Sequence, residues 1–143
     1  MRTKVLFQSK KGNTRKIAEA IADELGTASE AIPPAYMPEN MDLLFIGGGV
    51  YGGKLDKKMA SFLDFLDTKR VRNVALFGTS GSGDYTGIKA MKAVIEKNGI
   101  NVLDESFTCK GKMFGFFNRK CPTDDDIQSS RDFAKKVIEG FSK

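Results

Sequence analysis

One segment of the chain combines two hydroxyl side chains, a glycine and two cations: Ser9, Lys10, Lys11, Gly12, Asn13 and Thr14. It opens a stretch with helical periodicity, and backbone N–H groups at the start of a helix, together with the helix dipole, favour binding of a phosphate. Gly12 lets the backbone approach a ligand closely, and the hydroxyls of Ser9 and Thr14 can donate to phosphate oxygens. This first segment therefore predicts an anion site; helix capping by Asn13 or Thr14 is the alternative interpretation.

The spacing within the first segment excludes two common nucleotide-binding motifs. A P-loop needs Gly-Lys-Ser/Thr after a glycine and four further residues, and the segment does not contain that sequence. It does not contain the Gly-x-Gly-x-x-Gly pattern of dinucleotide-binding domains either. The segment supports neither a nucleotide triphosphatase nor a dinucleotide-binding domain.

A second segment is unusually rich in glycine and follows an apolar run at residues 43–47. It comprises Gly47, Gly48, Gly49, Val50, Tyr51, Gly52 and Gly53. A loop of this composition lets the backbone pass a flat ligand without Cβ atoms in the way, and Tyr51 can stack on an aromatic ring. A flexible loop with one exposed tyrosine is the alternative interpretation.

A third segment is rich in small hydrogen-bond donors and again follows an apolar run. It comprises Gly78, Thr79, Ser80, Gly81, Ser82, Gly83, Asp84 and Tyr85. Its backbone amides can turn toward a ligand. Taken alone the segment is ambiguous, because it also suits a simple turn in which Asp84 only caps the following helix.

The three segments lie between predicted β-strands and helices. Hydrophobic periodicity predicts strands near residues 3–8, 28–32, 43–47, 73–77 and 102–109, and helices near 13–25, 56–66, 85–98 and from Pro122 onward, with Thr123 as a cap. Residues 33–41 are short for a crossover and lack helical periodicity, which predicts either one degenerate turn or an irregular connection. This alternation predicts an α/β fold, a three-layer doubly wound five-stranded parallel sheet, in which ligands bind outside the carboxyl ends of the strands.

Composition excludes several classes of protein. The chain has no histidine, which removes the commonest general base and metal ligand, and we predict no catalytic residue and no metal site. Cys109 and Cys121 are too few for a disulfide framework and are expected to be free thiols. The length of 143 residues predicts a single domain over 1–143, and the lack of a long apolar run predicts a cytoplasmic protein without a membrane span. The net charge of +5 is spread along the chain, so it indicates no nucleic-acid partner.

Together the three segments, and the order of elements over essentially the whole chain, resemble the flavodoxin family. The phosphate loop of that family reads Ser/Thr-x-Thr-Gly-x-Thr, which Ser9, Gly12 and Thr14 match, while Lys11 stands where a threonine is usual. The resemblance implies a strand order of 2-1-3-4-5, one bound FMN and a chain of the short type. It further implies that residues 9–14 hold the phosphate, that residues 49–52 flank the flavin ring with Tyr51 stacked on it, and that residues 79–85 hold the other edge.

The resemblance implies a protein that transfers electrons to or from a partner oxidoreductase. A small FMN-dependent oxidoreductase acting on a quinone or a tetrapyrrole-type substrate is the alternative. A non-redox regulator, either a receiver-like domain or a flavodoxin fold that has lost FMN, is a third interpretation. A receiver needs an aspartate at the end of its third strand, where this chain has Gly47 to Gly49.

The segment between the last strand and the last helix has an unusual composition for a loop. Phe114, Phe116 and Phe117 stand there among cations, which predicts a docking surface for the redox partner of a monomer. A satellite cluster packed over the core is the other interpretation.

Overall fold

The chain alternates strands and helices, as its periodicity predicts. The computed structural model describes residues 1–51, 54–111 and 120–141. The strands are β1 (Thr3–Phe7), β2 (Ser29–Ala31), β3 (Met41–Tyr51), β4 (Lys54–Leu55), β5 (Val71–Ser80) and β6 (Asn101–Lys110). The helices are α1 (Asn13–Leu25), α2 (Lys57–Phe65), α3 (Thr86–Lys97) and α4 (Asp124–Phe141). No helix lies between β2 and β3, in agreement with the short connection there.

The sheet has five parallel strands in the order β2-β1-β3-β5-β6, and β4 pairs with β3 in antiparallel orientation at one end. Since β4 is a two-residue addition, this order is equivalent to the predicted order 2-1-3-4-5. The predicted α/β fold class is confirmed. The order changes direction between β1 and β3, and such a switch point is where open α/β sheets bind their ligands.

Two apolar layers cover the two faces of the sheet. On one face α1 and α4 pack against a cluster that includes Val5, Phe45 and Phe77. On the other face α2 and α3 pack against a cluster that includes Leu6 and Ile46. Successive residues of a strand point to opposite faces, so a strand covered on both faces must be apolar at nearly every position. This requirement explains the continuous apolar runs in the sequence.

Local sequence signals set the ends of the helices. Gly26 ends α1 in the left-handed conformation, with φ of 68°. Thr123 begins α4 as predicted: its Oγ1 accepts a hydrogen bond from the Asp126 N–H (3.1 Å), and Asp126 Oδ2 accepts one from the Thr123 N–H (2.9 Å). None of the helices in the described ranges is long and apolar enough to cross a membrane.

The end of β3 differs from the expectation. The strand continues to Tyr51, so Gly47 and Gly48 lie inside the sheet and not in a loop, and the loop predicted for these positions is wrong. A Cβ on Gly47 would overlap the ring of Phe77 in the neighbouring strand, and a Cβ on Gly48 would lie 2.8 Å from Met59 Cε. Gly47 is therefore required by packing, a role that the composition alone did not reveal, whereas at Gly48 the flexible end of Met59 could shift.

Candidate functional site

The first and third segments meet at one edge of the sheet. The first follows the carboxyl end of β1, and the third begins within the last residues of β5. The register aligns Phe7 of β1 with Gly47 of β3, and Gly49 of β3 with Thr79 of β5. Because carboxyl ends of parallel strands share an edge, this register places both segments beside the end of β3.

The first segment leaves the start of α1 without a side-chain cap. Gly12 occupies the N-cap position with φ of 84°, and no side chain makes a capping hydrogen bond there. The N-cap residue of α1 is therefore Gly12, and not Asn13 or Thr14 as the alternative interpretation expected. The Gly12 N–H itself donates to Ser9 Oγ (2.9 Å), which leaves the Ser9 hydroxyl hydrogen available to another acceptor. N–H groups in the first turn of a helix have no intrahelical acceptor, so this end suits an anion.

A pair of hydroxyls connects the first segment to the third. Thr14 Oγ1 and Thr79 Oγ1 lie 2.8 Å apart, and either can be the donor. Both residues are buried, with exposures of 1% and 9%. One hydroxyl hydrogen is used within the pair, and the hydrogen of the accepting hydroxyl remains for a ligand. The pair therefore fixes the two segments against each other and retains one donor.

Two further contacts hold the first segment in place, and sequence reasoning missed both. Lys10 Nζ lies 3.6 Å from Asp56 Oδ2, and Asp56 also caps α2 by accepting from the Lys58 N–H (2.8 Å). On the other side, a Cβ on Gly111 would lie 2.6 Å from Asn13 Nδ2, so the backbone after β6 packs directly against the Asn13 side chain. The sequence carries no local signal for either contact.

The third segment is organised by Asp84. Its carboxylate accepts hydrogen bonds from Ser82 Oγ (2.6 Å) and from the Thr86 N–H (3.1 Å), and its own N–H donates to Ser80 Oγ (3.1 Å). The Ser82 hydrogen bond, followed by those from Thr86, holds the pKa of Asp84 below its usual value. Asp84 therefore stays ionised at neutral pH and serves both the loop and the first residue of α3, although the N-cap residue of α3 is Tyr85.

Gly81, Gly83 and Tyr85 are the remaining predicted residues of the third segment. Gly83 has φ of 74°, and a Cβ there would lie 3.3 Å from Lys110 Cγ, so this position suits only glycine. Gly81 is half-buried. Tyr85 is 50% exposed and borders a surface cavity together with Ser106 of β6 and Phe133 of α4.

Part of the second segment lies outside the described residues. The backbone of Val50 pairs with Leu55, and that of Tyr51 pairs with Lys54. Gly52 and the proposed docking residues Phe114, Phe116 and Phe117 lie outside the described ranges. The predicted stacking by Tyr51 stays a prediction.

Gln8 is a residue that sequence reasoning did not single out. It stands between β1 and Ser9, it is 7% exposed, and its N–H donates to the Gly47 carbonyl (2.9 Å). Its side-chain Oε1 is buried and has no hydrogen-bond partner among the described residues. Buried polar atoms almost always have partners, so a lone acceptor beside a candidate anion site indicates a missing donor. A polar residue at the end of an apolar strand was the signal that could have found it.

The two cysteines differ in environment. Burial, followed by Asp126 and Cys121, raises the pKa of Cys109 to about 12, so its thiol stays protonated. Cys121 is half-buried, and both thiols are free. Within 1–51, 54–111 and 120–141 no group of three or more His, Cys, Asp or Glu side chains could hold a metal ion.

Comparison with known proteins gives the class of this chain. It matches the flavodoxin domain family over residues 4–135, and it therefore belongs to that family. The uncharacterized protein MJ0298 of Methanocaldococcus jannaschii is 33% identical over 152 residues, covering 97% of this chain and 99% of that protein. The flavodoxin-like domain-containing protein BilS of Clostridioides difficile is 34% identical over 124 residues, covering 79% of this chain and 68% of that protein.

A solved structure agrees with this assignment at the level of the fold. A flavodoxin from the domain Archaea superimposes with a TM-score of 0.72 at 18% sequence identity, and the match covers 100% of both chains. The predicted membership of the flavodoxin family is confirmed. Family membership indicates flavin binding and electron transfer.

Proposed function

We propose that the chain binds one FMN at the carboxyl ends of β1, β3 and β5 and transfers electrons to or from a partner oxidoreductase. The observation that carries the proposal is the start of α1, where Gly12 leaves the first turn without a side-chain cap beside the Ser9 hydroxyl. A phosphate would accept hydrogen bonds from backbone N–H groups of this first turn and from the Ser9 hydroxyl.

The residues of this site fit FMN. The first segment offers one phosphate cradle, with donors from Ser9 and from the Thr14–Thr79 pair, and no feature for the adenosine half of FAD. Beside the cradle, the buried acceptor of Gln8 lacks a donor that a flavin's side chain could supply. When bound, FMN supplies one-electron and two-electron transfer. The chain's own part is to bind, orient and shield it.

A pair of glycine variants tests the phosphate cradle. Gly12 and Gly26 stand at the two ends of α1, both have positive φ, and a Cβ at either meets nothing within 4 Å. Alanine at either position should cost about 1–2 kcal/mol of stability through backbone strain. We expect G12A to weaken FMN binding about tenfold while leaving riboflavin binding nearly unchanged, whereas G26A, the matched control, should leave both affinities unchanged. Equal FMN affinity in the two variants would refute a phosphate at α1.

The absorption spectrum tests the cofactor itself. Protein reconstituted with FMN should show a flavin spectrum after gel filtration, and mass measurement of the released cofactor should give FMN. A protein that retains no flavin would refute the proposal. Reduction of a quinone by NAD(P)H without an added reductase would favour the alternative, a small FMN-dependent oxidoreductase.

We further propose that the partner docks near Phe114, Phe116 and Phe117. Serine at Phe116 and Phe117 should slow flavin reduction by a flavodoxin reductase with NADPH while flavin content and thermal stability stay unchanged. Serine at Phe65, an aromatic that is 68% exposed on α2, is the matched control and should change neither. Loss of thermal stability on changing Phe116 and Phe117 would indicate that these residues pack over the core and do not form a docking surface.

We also propose one domain over residues 1–143, a monomer, and a cytoplasmic location. Two free thiols, one of them buried, suit a reducing compartment. Light scattering coupled to gel filtration should give the mass of one chain, about 15.7 kDa; a dimer mass would refute the monomer.

A further inference from the structure

The buried acceptor of Gln8 assigns a specific contact within the proposed FMN site. We infer that Gln8 Oε1 accepts a hydrogen bond from a hydroxyl of the ribityl chain of the bound flavin. This inference rests on the proposed function, because it concerns how the same site holds its ligand.

The position of Gln8 in the sheet decides on which face its side chain lies. It follows β1 directly, and its N–H continues the ladder to β3 by donating to the Gly47 carbonyl (2.9 Å). Leu6, two residues earlier, belongs to the core cluster on the face covered by α2 and α3. Side chains two apart in extended backbone share a face, so the Gln8 amide lies on that face too.

That face ends at the candidate site. At the same end of the sheet, Lys10 of the first segment pairs with Asp56, the residue that caps α2 (3.6 Å). β4, which ends at Leu55, immediately precedes Asp56 and pairs with the end of β3. The Gln8 amide therefore lies on the face and at the end of the sheet where the first segment meets the start of α2, and it directly precedes Ser9.

The chemistry of the orphaned atom selects the donor. Oε1 is an acceptor, and a phosphate at neutral pH presents chiefly acceptor oxygens, so the phosphate cannot satisfy it. The ribityl chain joins the phosphate to the flavin ring and carries hydroxyl groups, which are donors. Because Gln8 directly precedes the phosphate segment, the group next to the phosphate is the one within its reach.

A bound ligand would thus relieve a cost present in the free protein. A buried amide oxygen without a partner destabilises the fold, and leaving it unpaired is worse than replacing it with an apolar group of similar shape. The contact would favour ligands that carry a polyol chain beside their phosphate over inorganic phosphate alone.

Replacement of Gln8 with methionine tests the inference, because methionine has similar length and no acceptor oxygen of this strength. Gln128, the other glutamine, is exposed on α4 and gives the matched control Gln128→Met. Titration calorimetry would measure binding of FMN, riboflavin, lumiflavin and inorganic phosphate. We expect Gln8→Met to weaken FMN and riboflavin about fivefold, the effect of one neutral hydrogen bond, and to change lumiflavin and phosphate less than about twofold. Gln128→Met should change none of them.

A second measurement compares two ligands on each protein, so that a general loss of affinity in the variant cancels in the ratio. Wild-type protein should bind FMN more tightly than a flavin phosphate whose ribityl chain is replaced by an unsubstituted pentyl chain, and this ratio should fall by about fivefold in Gln8→Met. An unchanged ratio would overturn the assignment. So would a loss shared by FMN and inorganic phosphate but not riboflavin, which would mean that the amide acts on the phosphate.

Other outcomes separate this inference from the proposed function. A loss that extends to lumiflavin would place the amide against the ring and overturn the ribityl contact. Unchanged affinities together with altered stability of the ligand-free protein would mean that a buried water is the partner. Wild-type protein that binds no flavin would refute the proposed function and this inference together, whereas normal flavin binding by both proteins would overturn the inference alone.

Discussion

Breaking the hydroxyl pair between Thr14 and Thr79 should reveal how strongly the first and third segments are coupled. The two oxygens lie 2.8 Å apart, and the residues are 1% and 9% exposed. Valine keeps the shape of threonine and removes only the hydroxyl. Each single change leaves the other hydroxyl buried without its partner, so Thr14→Val and Thr79→Val should each lower the free energy of unfolding by about 1–3 kcal/mol.

The double variant should be much less unstable than the sum of the two single variants. Removing both hydroxyls leaves two apolar groups of the same shape in contact, a change that is often nearly neutral. We therefore expect a coupling free energy of about 1–2 kcal/mol between the two positions. Thr79 lies in β5, where valine suits a strand, so its single variant should be the milder of the two.

Urea unfolding of the ligand-free protein at neutral pH measures this cycle. Thr68→Val is the control, since Thr68 is exposed and its replacement should change stability by less than about 0.5 kcal/mol. Additive effects, with coupling below about 0.3 kcal/mol, would refute the argument that the pair joins the two segments. Relative to wild type, the double variant should lose more affinity for FMN than for riboflavin, because it lacks the hydroxyl hydrogen that remains for the phosphate.

Three further predictions concern charges and thiols near the site. In native protein at pH 8, a disulfide reagent should label Cys121 quickly and Cys109 only on unfolding, because burial raises the pKa of Cys109 to about 12; equal rates would contradict this. Because the pKa of Asp84 is lowered in the folded protein, its carboxylate stabilises the fold above the usual carboxyl pKa, and this stabilisation is lost as the pH falls through the lowered value. In a plot of the urea unfolding midpoint against pH, Asp84→Asn should therefore reduce the decline below about pH 4. For the pair of Lys10 and Asp56, Lys10→Met should lower and Asp56→Asn raise the midpoint potential of bound flavin. One charge at about 10 Å and an effective dielectric near 20 contributes about 1.7 kcal/mol, or about 70 mV, and shifts of the same sign would refute the electrostatic argument.

Several elements followed directly from the sequence because local physics decides them. The apolar period from Ile17 to Ala22 and the glycine at position 26 predicted α1, which runs from Asn13 to Leu25. Thr123 was predicted to cap the last helix and does so. Helix periodicity, caps and strand alternation depend on neighbours within a few residues, so they can be recognised in a single sequence.

The structure of the glycine-rich second segment could not be predicted from such local signals. Its composition suggested a loop around a ligand, yet β3 continues through Gly47 and Gly48. The ring that requires Gly47 belongs to Phe77 of the neighbouring strand. A glycine has no side chain to reveal its neighbour, and strand register alone decides which side chain crosses over it.

By itself the sequence determined the family, the alternation of strands and helices, and the segment at residues 9–14 where an anion can bind. Tertiary structure decided which hydroxyl Thr14 contacts, that Lys10 meets Asp56, and that the Gln8 acceptor is buried without a partner. Thr14 and Thr79 are 65 residues apart, and no pattern within either segment encodes the other. Such contacts follow from the parallel register and from the crossovers that bring distant strand ends to one edge, which is why they emerge only when the chain is folded.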